Sequence, residues 1–296
     1  MGTVIPLKKE INNSYLELKN LVGNKIDAVS QVINHKLESE INLIQKMTKH
    51  HLNSGGKRIR PLLTLATSKL CGYEEDGIRD INLAACVELI HSATLLHDDV
   101  IDNSDLRRGV KTANSIWGNQ SSILIGDYLF SRCFEIMVQD GSHEVLKLLS
   151  STSSTIAQGE VLQLEHKGEI DLLEETYFKI INMKTAALFS AAARVGACIT
   201  NKSKKEKDAL ESYGKNLGLA FQIADDALDY YSSQKIFGKE IGKDFFEGKA
   251  TMPLVIIFQK ANNEEKAFLK EIFKKEKRNE DDFSETLSLI NKYKAV

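Results

Sequence analysis

Proline is almost missing from this chain: three residues in 296, at Pro6, Pro61 and Pro253. So few breakers leave room for long uninterrupted helices. Cysteine is also sparse. Cys71, Cys86, Cys133 and Cys198 form no C-x-x-C pair and show no zinc-ligand spacing. A disulfide framework is therefore not expected, and the four read as reduced core thiols of a cytoplasmic protein. Neither sign of charge dominates. With 39 basic and 41 acidic residues the net charge is -2, which speaks against a nucleic-acid binder and against an acidic disordered chain. Near the N-terminus Lys8, Lys9 and Glu10 cut off the apolar start, so no signal-peptide core forms. The longest apolar stretch, Thr185 to Thr200, is interrupted by Arg194 and is too short to span a bilayer. Sustained strand-like alternation is absent as well.

What is present is helical periodicity nearly everywhere. Leu62, Leu63, Leu65, Ala66 and Leu70 show it, as do Leu83, Ala84, Val87, Ile90 and Leu95, and Leu217, Ala220, Phe221, Ala224 and Leu228. An all-α protein of roughly ten or more helices is expected from the usual ~11–12 residues per helix. Breaks fall at Leu52–Pro61, Gly72–Gly77, Asn103–Thr112, Gly141 and Ser232–Pro253, the last carrying Gly238, Gly242 and Gly248. The stretch 262–283, rich in Lys, Glu and Asp, reads as a solvated helix face. No linker and no solenoid repeat interrupts the chain.

One pattern occurs twice. Asp98-Asp99-Val-Ile-Asp102 and Asp225-Asp226-Ala-Leu-Asp229 both have the form D-D-x-x-D, each inside an apolar helical run. Residues i and i+4 of a helix lie about 40° apart, so Asp98 and Asp102 share a face, as do Asp225 and Asp229. Like charges one turn apart repel, and carboxylates on an apolar helix are costly to bury. Cations must compensate them. Hard oxygen ligands suit Mg²⁺, completed by water and substrate phosphates. The spacing is not that of an EF-hand.

Cationic groups accompany the acids. Gly55-Gly56-Lys57-Arg58-Ile59-Arg60-Pro61 precedes a helix expected to begin near Pro61, and glycines, cations and a helix N-terminus together suit an anion. The P-loop spacing is absent. Arg107-Arg108-Gly109, Lys184-Thr185, and Lys239, Lys243 and Lys249 add further positive groups. Separate acid and base groups of this kind point to anions bridged by metals, and diphosphates fit best.

These residues bear a resemblance. The Gly55–Pro61 motif, His91, Leu95–Gly109, Gly159-Glu160, Lys184-Thr185, Phe221–Asp229 and Gly238–Pro253 resemble, in order, the motifs of the trans-isoprenyl diphosphate synthases, the polyprenyl synthetase family. The resemblance covers roughly residues 20 to 260. It implies one domain over 1–296, an all-α single-domain helical bundle around a deep central cavity, and a homodimer. It implies that Asp98, Asp102 and Asp225 hold magnesium, up to three ions, with Asp99, Asp226 and Asp229 in support. Lys57, Arg60, His91 and Arg108 would bind isopentenyl diphosphate. Arg107, Lys184, Thr185, Gln222 and Lys239 would hold the allylic diphosphate. His91, seven residues before Asp98, lies on nearly the same face, whereas His97 lacks such support and reads as structural.

The chemistry implied is Mg-assisted ionisation of the allylic C–O bond, attack by the double bond of isopentenyl diphosphate, and loss of a proton. No covalent enzyme intermediate is required. Ala93 and Thr94, five and four residues before Asp98, are small where bulky aromatics in the family give short products. A turn rises ~5.4 Å, about one isoprene unit, so a long-chain product is expected, as for a quinone side chain. Ile123–Met137 and Gly159–Leu164 look like octaprenyl and decaprenyl synthases in particular. The greasy product implies peripheral contact with a membrane. A short-chain synthase, a terpene cyclase and a non-catalytic subunit of a heteromeric synthase are the alternatives. The second diphosphate site argues against the cyclase, and two complete triplets argue against the subunit. Family members usually carry further C-terminal helices beyond the position of Val296, so the chain is either naturally short or truncated there.

Overall fold

The computed structural model describes residues 7–74, 76–231 and 241–296. In chain order its helices are α1 (Leu7–Val22), α2 (Lys25–Lys36), α3 (Asn42–Asn53), α4 (Ile59–Leu70), α5 (Arg79–Ile101), α6 (Ala113–Trp117), α7 (Asn119–Asp140), α8 (His143–Glu165), α9 (Glu174–Ile181), α10 (Ala187–Ile199) and α11 (Lys204–Tyr231). A π-helical turn, Asn182–Ala186, joins α9 to α10. Helices Lys243–Glu247, Met252–Lys260, Asn263–Lys274 and Glu280–Tyr293 complete the chain. Among the described residues the only strands are Leu106–Arg107 and Val110–Lys111, paired antiparallel. The all-α expectation holds. Chain positions cluster into two compact units: Met1–Asp105, Thr112–Ser150 and Phe189–Gly214 form one, and Leu106–Lys111, Ser151–Leu188 and Lys215–Val296 the other.

The first unit is organised by α5. Leu83, Ala84, Cys86, Val87, Leu89, Ile90, Ala93 and Leu96 are all without exposed surface. Fully burying a Val, Leu or Ile side chain is worth about 1.5–3 kcal/mol. Core packing therefore holds this helix, because its N-cap residue Ile78 makes no capping bond. Helix α7 lies along it. Ser122 donates to the Leu96 carbonyl at 3.0 Å. At the other end Arg79 forks onto Asp140, Nε to Oδ1 at 2.6 Å and Nη2 to Oδ2 at 3.0 Å. Lys25 of α2 pairs with the buried Asp80 at 2.8 Å. All four cysteines are free and buried.

The second unit has an aromatic core in which Phe245, Phe273 and Phe283 pack with Tyr230, Leu254, Ile257, Leu269 and Ile290. Two capping boxes start its last helices, Asn262 with Glu265 and Asn279 with Asp282. The stretch 262–283 is solvated on one side only, since Leu269, Ile272 and Phe273 are buried. Helix α4 begins at Ile59, near Pro61 as expected. Two expected breaks hold more regular structure than their composition announces. The break at Asn103–Thr112 contains a hairpin whose turn residues Arg108 and Gly109 have φ of 54° and 78°, the signs a tight type I′ turn needs. Within the expected loop Ser232–Pro253, residues Lys243–Glu247 are helical.

Candidate active site

Each aspartate triplet sits at or near the end of a helix and is built alike. Asp98 and Asp102 are half-buried while Asp99 is buried. Asp225 and Asp229 are half-buried while Asp226 is buried. Helical phase explains the pattern: the outer two of D-D-x-x-D share one face, and the middle one points about 60–100° away from them. In the first unit the Asp102 N–H closes the last turn of α5 on the Asp98 carbonyl at 2.8 Å. The Asp99 carbonyl accepts Ser104 N–H at 2.9 Å and the Asn114 side-chain amide at 3.2 Å. The chain leaving the triplet is thereby fixed.

In the second unit the buried carboxylate is held from three sides. The Tyr177 hydroxyl donates to Asp226 Oδ2 at 2.6 Å, Gln222 Nε2 donates to Oδ1 at 2.8 Å, and Met252 N–H donates to Oδ2 at 3.3 Å. Burial pushes the Asp226 carboxyl up to about 6, with the Asp244 charge adding to the rise and the three hydrogen bonds opposing it. Burial and the neighbouring Asp226 raise the Tyr177 phenol far above its ordinary value. Asp229 is tied to the segment that follows: its Oδ2 accepts Asp244 N–H at 3.0 Å and its carbonyl accepts Gly242 N–H at 2.9 Å.

Lys184 and Thr185 ride on the π turn. Such turns are rare and recur at functional sites. Thr185 donates to Gln222 Oε1 at 2.7 Å, so Thr185, Gln222 and Asp226 form one chain of hydrogen bonds. Lys184 Nζ meets Glu160 Oε2 at 2.6 Å and also bonds Gln163. Helix α8 comes close here because residue 159 is glycine: a Cβ at that position would lie 2.8 Å from Met183 Cβ and 3.0 Å from the Lys184 backbone nitrogen.

The Gly-Gly-Lys-Arg segment belongs to the first unit. Gly55 and Gly56 take φ of 83° and 149°, values other residues rarely adopt. Tyr15 donates to the Lys57 carbonyl at 3.0 Å, and Lys57 itself is exposed. Arg58 is left-handed and donates to Ser30. Arg60 lies 4.4 Å above the Phe189 ring, with its Nε buried and without a hydrogen-bond partner. Burial draws its guanidinium down to about 10, with Glu88 acting in the opposite sense. A desolvated cation of this kind gains from an anionic ligand. His91 is half-buried on α5, Ala93 is wholly enclosed by protein, and the half-buried Thr94 donates to the His91 carbonyl at 2.8 Å. His97 packs against Gly126, its Nε2 3.1 Å from the Ile123 carbonyl. Arg107 is half-buried on the first hairpin strand, and Arg108 is exposed at the turn. Lys243 and Lys249 both pair with Glu247. Lys239 lies outside the described residues.

A metal would find oxygen donors only. Among the described residues no three His, Cys, Asp or Glu side chains gather into a ready-made cage. Outer aspartates that offer a few carboxylate oxygens fit Mg²⁺, which keeps several waters and takes phosphate oxygens, better than a metal wanting nitrogen or sulfur. Sequence reasoning missed Tyr177 and gave Glu160 and Gln163 no role. Tyr177 lies in an apolar helix with only its hydroxyl as a signal. Glu160 stood in a quoted motif, and only the fold pairs it with Lys184.

An all-helical fold bearing two such triplets is that of the isoprenoid synthases. A family model described as polyprenyl synthetase matches residues 41–290. Octaprenyl diphosphate synthase of Escherichia coli K12 is 41% identical over 239 residues, 81% of this chain and 73% of that protein. The octaprenyl diphosphate synthase of Haemophilus influenzae is 36% identical over 98% of this chain and 87% of its own length. A decaprenyl diphosphate synthase from Rhodobacter capsulatus superposes with a TM-score of 0.88 at 42% identity, covering 95% of this chain and 86% of that one. A polyprenyl synthase from Caulobacter crescentus CB15, solved with calcium and isoprenyl diphosphate, gives 0.90 at 42% identity, covering 95% and 85%. The chain belongs to the polyprenyl synthetase family and is a trans-prenyltransferase, a polyprenyl diphosphate synthase.

Proposed function

We propose that this enzyme is one polyprenyl synthetase domain that adds isopentenyl diphosphate repeatedly to an allylic diphosphate, giving a long product for a quinone side chain. The observation that carries the reading is the shared build of the triplets, outer aspartates partly open and the middle one buried. Asp98, Asp102 and Asp225 hold Mg²⁺, up to three ions, while Asp99, Asp226 and Asp229 keep them placed. Bound Mg²⁺ supplies charge neutralisation of the leaving diphosphate. Arg107, Lys184, Thr185, Gln222 and Lys239 hold the allylic diphosphate. Lys57, Arg60, His91 and Arg108 hold isopentenyl diphosphate, the desolvated Arg60 supplying the strongest attraction. Lys184 exchanges the Glu160 carboxylate for the incoming diphosphate.

Long products are supported by the similarity to octaprenyl and decaprenyl synthases. The enclosure of Ala93, which has no exposed surface, favours a second reading, a short-chain product. The enzyme acts as a homodimer: Ile123, Leu124, Phe134 and Val138 are exposed on α7 and fall within about 100° of one another around the helix. Its place is the cytoplasm, with peripheral membrane contact for delivery; among the described residues no helix is long and apolar enough to cross a membrane. The test is incubation with farnesyl diphosphate, isopentenyl diphosphate and Mg²⁺, read by mass spectrometry. Products of many added units, abolished by EDTA, are expected. Short products would establish the second reading, and EDTA-resistant turnover would refute the metal assignment.

A further inference from the structure

Tyr177 is about as buried as a residue can be, with 2% of its surface exposed. Its ring packs with Leu172, Ile180, Ile181 and Val255. Phenylalanine would fill that space equally well, so packing accounts for everything except the hydroxyl. A buried phenol needs a partner, and here the partner is the middle aspartate of the second triplet, at 2.6 Å. Three donors from three different elements converge on that carboxylate: Tyr177 from α9, Gln222 from α11 itself, and the backbone N–H of Met252. Asp226 cannot swing outward without leaving buried donors unpaired. Its position also fixes its helical neighbours. Because the Gln222 amide nitrogen is committed to Asp226, its oxygen is turned to Thr185. Tyr177 lies on α9 before the wide turn and Thr185 lies within it, so the segment from Tyr177 to Thr185 is anchored at both ends to one turn of α11.

We infer that Tyr177 is a positioning residue of the diphosphate site, acting through Asp226 to hold Asp225, Gln222 and Thr185 in the arrangement that binds the magnesium complex of the allylic diphosphate. This rests on the metal reading of Asp225 given above. Outer partners of this kind typically change metal affinity by roughly 10–100-fold when removed.

The test uses the full chain and farnesyl thiolodiphosphate, an unreactive allylic probe, with binding followed by calorimetry over a series of Mg²⁺ concentrations. Tyr177→Phe is expected to raise the Mg²⁺ concentration for half-maximal binding by about tenfold or more. Leu269→Val, a core change elsewhere in the same unit, should lower the melting temperature and leave that concentration unmoved. A Tyr177→Phe protein that melts earlier but needs no more Mg²⁺ would overturn the inference and leave the hydroxyl a purely structural role. Asp226→Asn should raise the Mg²⁺ requirement, and adding Tyr177→Phe to it should raise it no further; an additive rise would overturn the inference too. That comparison stands even if Tyr177→Phe alone fails to fold, since replacing both partners relieves the buried charge. Asp225→Asn separates the two layers. If it leaves the Mg²⁺ requirement unchanged, the metal reading fails and this inference with it. If it raises the requirement while Tyr177→Phe does not, the inference alone falls.

Discussion

Replacing Gly159 by alanine pits two effects of similar size against each other. Position 159 lies inside α8, and a glycine-to-alanine change in a helix interior is worth about 0.8–1 kcal/mol in favour of alanine. Against this stands the contact with the π turn. The new methyl would lie 2.8 Å from Met183 Cβ and 3.0 Å from both Lys184 Cγ and the Lys184 backbone nitrogen. A Cβ and a backbone atom cannot rotate away, so the helix or the turn must move, at the ~1–3 kcal/mol typical of overpacking. Overpacking should win, with a net loss of up to about 2 kcal/mol. At ~2–4 °C per kcal/mol for a large domain, the melting temperature should fall by several degrees. Displacing the turn also displaces Lys184 from Glu160, so the KM for the allylic diphosphate should rise with that for isopentenyl diphosphate little changed. Scanning calorimetry and two-substrate kinetics measure both. A variant that melts higher than the wild type with an unaltered allylic KM would show that helix propensity governs and that the close approach is dispensable.

Further outcomes follow from other positions. Thr94→Phe should shorten the product with less loss of stability than Ala93→Phe, because Thr94 is half-buried and Ala93 wholly enclosed; unchanged product length in both active variants would remove them from length control. Glu265 is held down to about 2 by Lys292, Tyr293 and the Asn262 N–H. Its folded pKa lies below the unfolded value of ~4.3, so its contribution to stability is present above that pH and is lost as pH falls through about 2. Glu265→Gln should therefore melt earlier than wild type at pH 7, with the gap closing in acid, and a gap independent of pH would contradict this. Leu124→Glu should halve the mass seen by light scattering; an unchanged mass would exclude the α7 face from the dimer contact.

Much of this was legible in the sequence because its signals are periodic. The helical spacing in 83–102 and 217–231 placed both triplets on helices, and the i, i+4 rule foretold which aspartates share a face. What escaped was either local backbone geometry or distant pairing. Two-residue strands carry no periodicity, so the hairpin around Arg108 and Gly109 read as a plain break. A π turn differs from an α turn by one residue and leaves no mark in the composition of Asn182–Ala186. Tyr177 reaches a residue far along the chain, and in the sequence it is one more large side chain among Phe178, Ile180 and Ile181. Lys184's engagement with Glu160 likewise depends on how α8 passes the turn.

That turn has a consequence for the register of its helix. From Glu174 to Ile199 the chain winds almost continuously, and the wide turn at Asn182–Ala186 accommodates one residue more than regular α geometry would. Removing a single residue there would restore an unbroken α-helix with better hydrogen bonding and leave the flanking helices in phase, so the side chains re-aimed would be those of the turn itself. Lys184 and Thr185, which lie inside the turn, would point in new directions, while Tyr177 before it would keep its own. A one-residue deletion in this helical stretch would thus be expected to leave the core helices in place and yet part Lys184 from Glu160, the more regular helix presenting the wrong side chains.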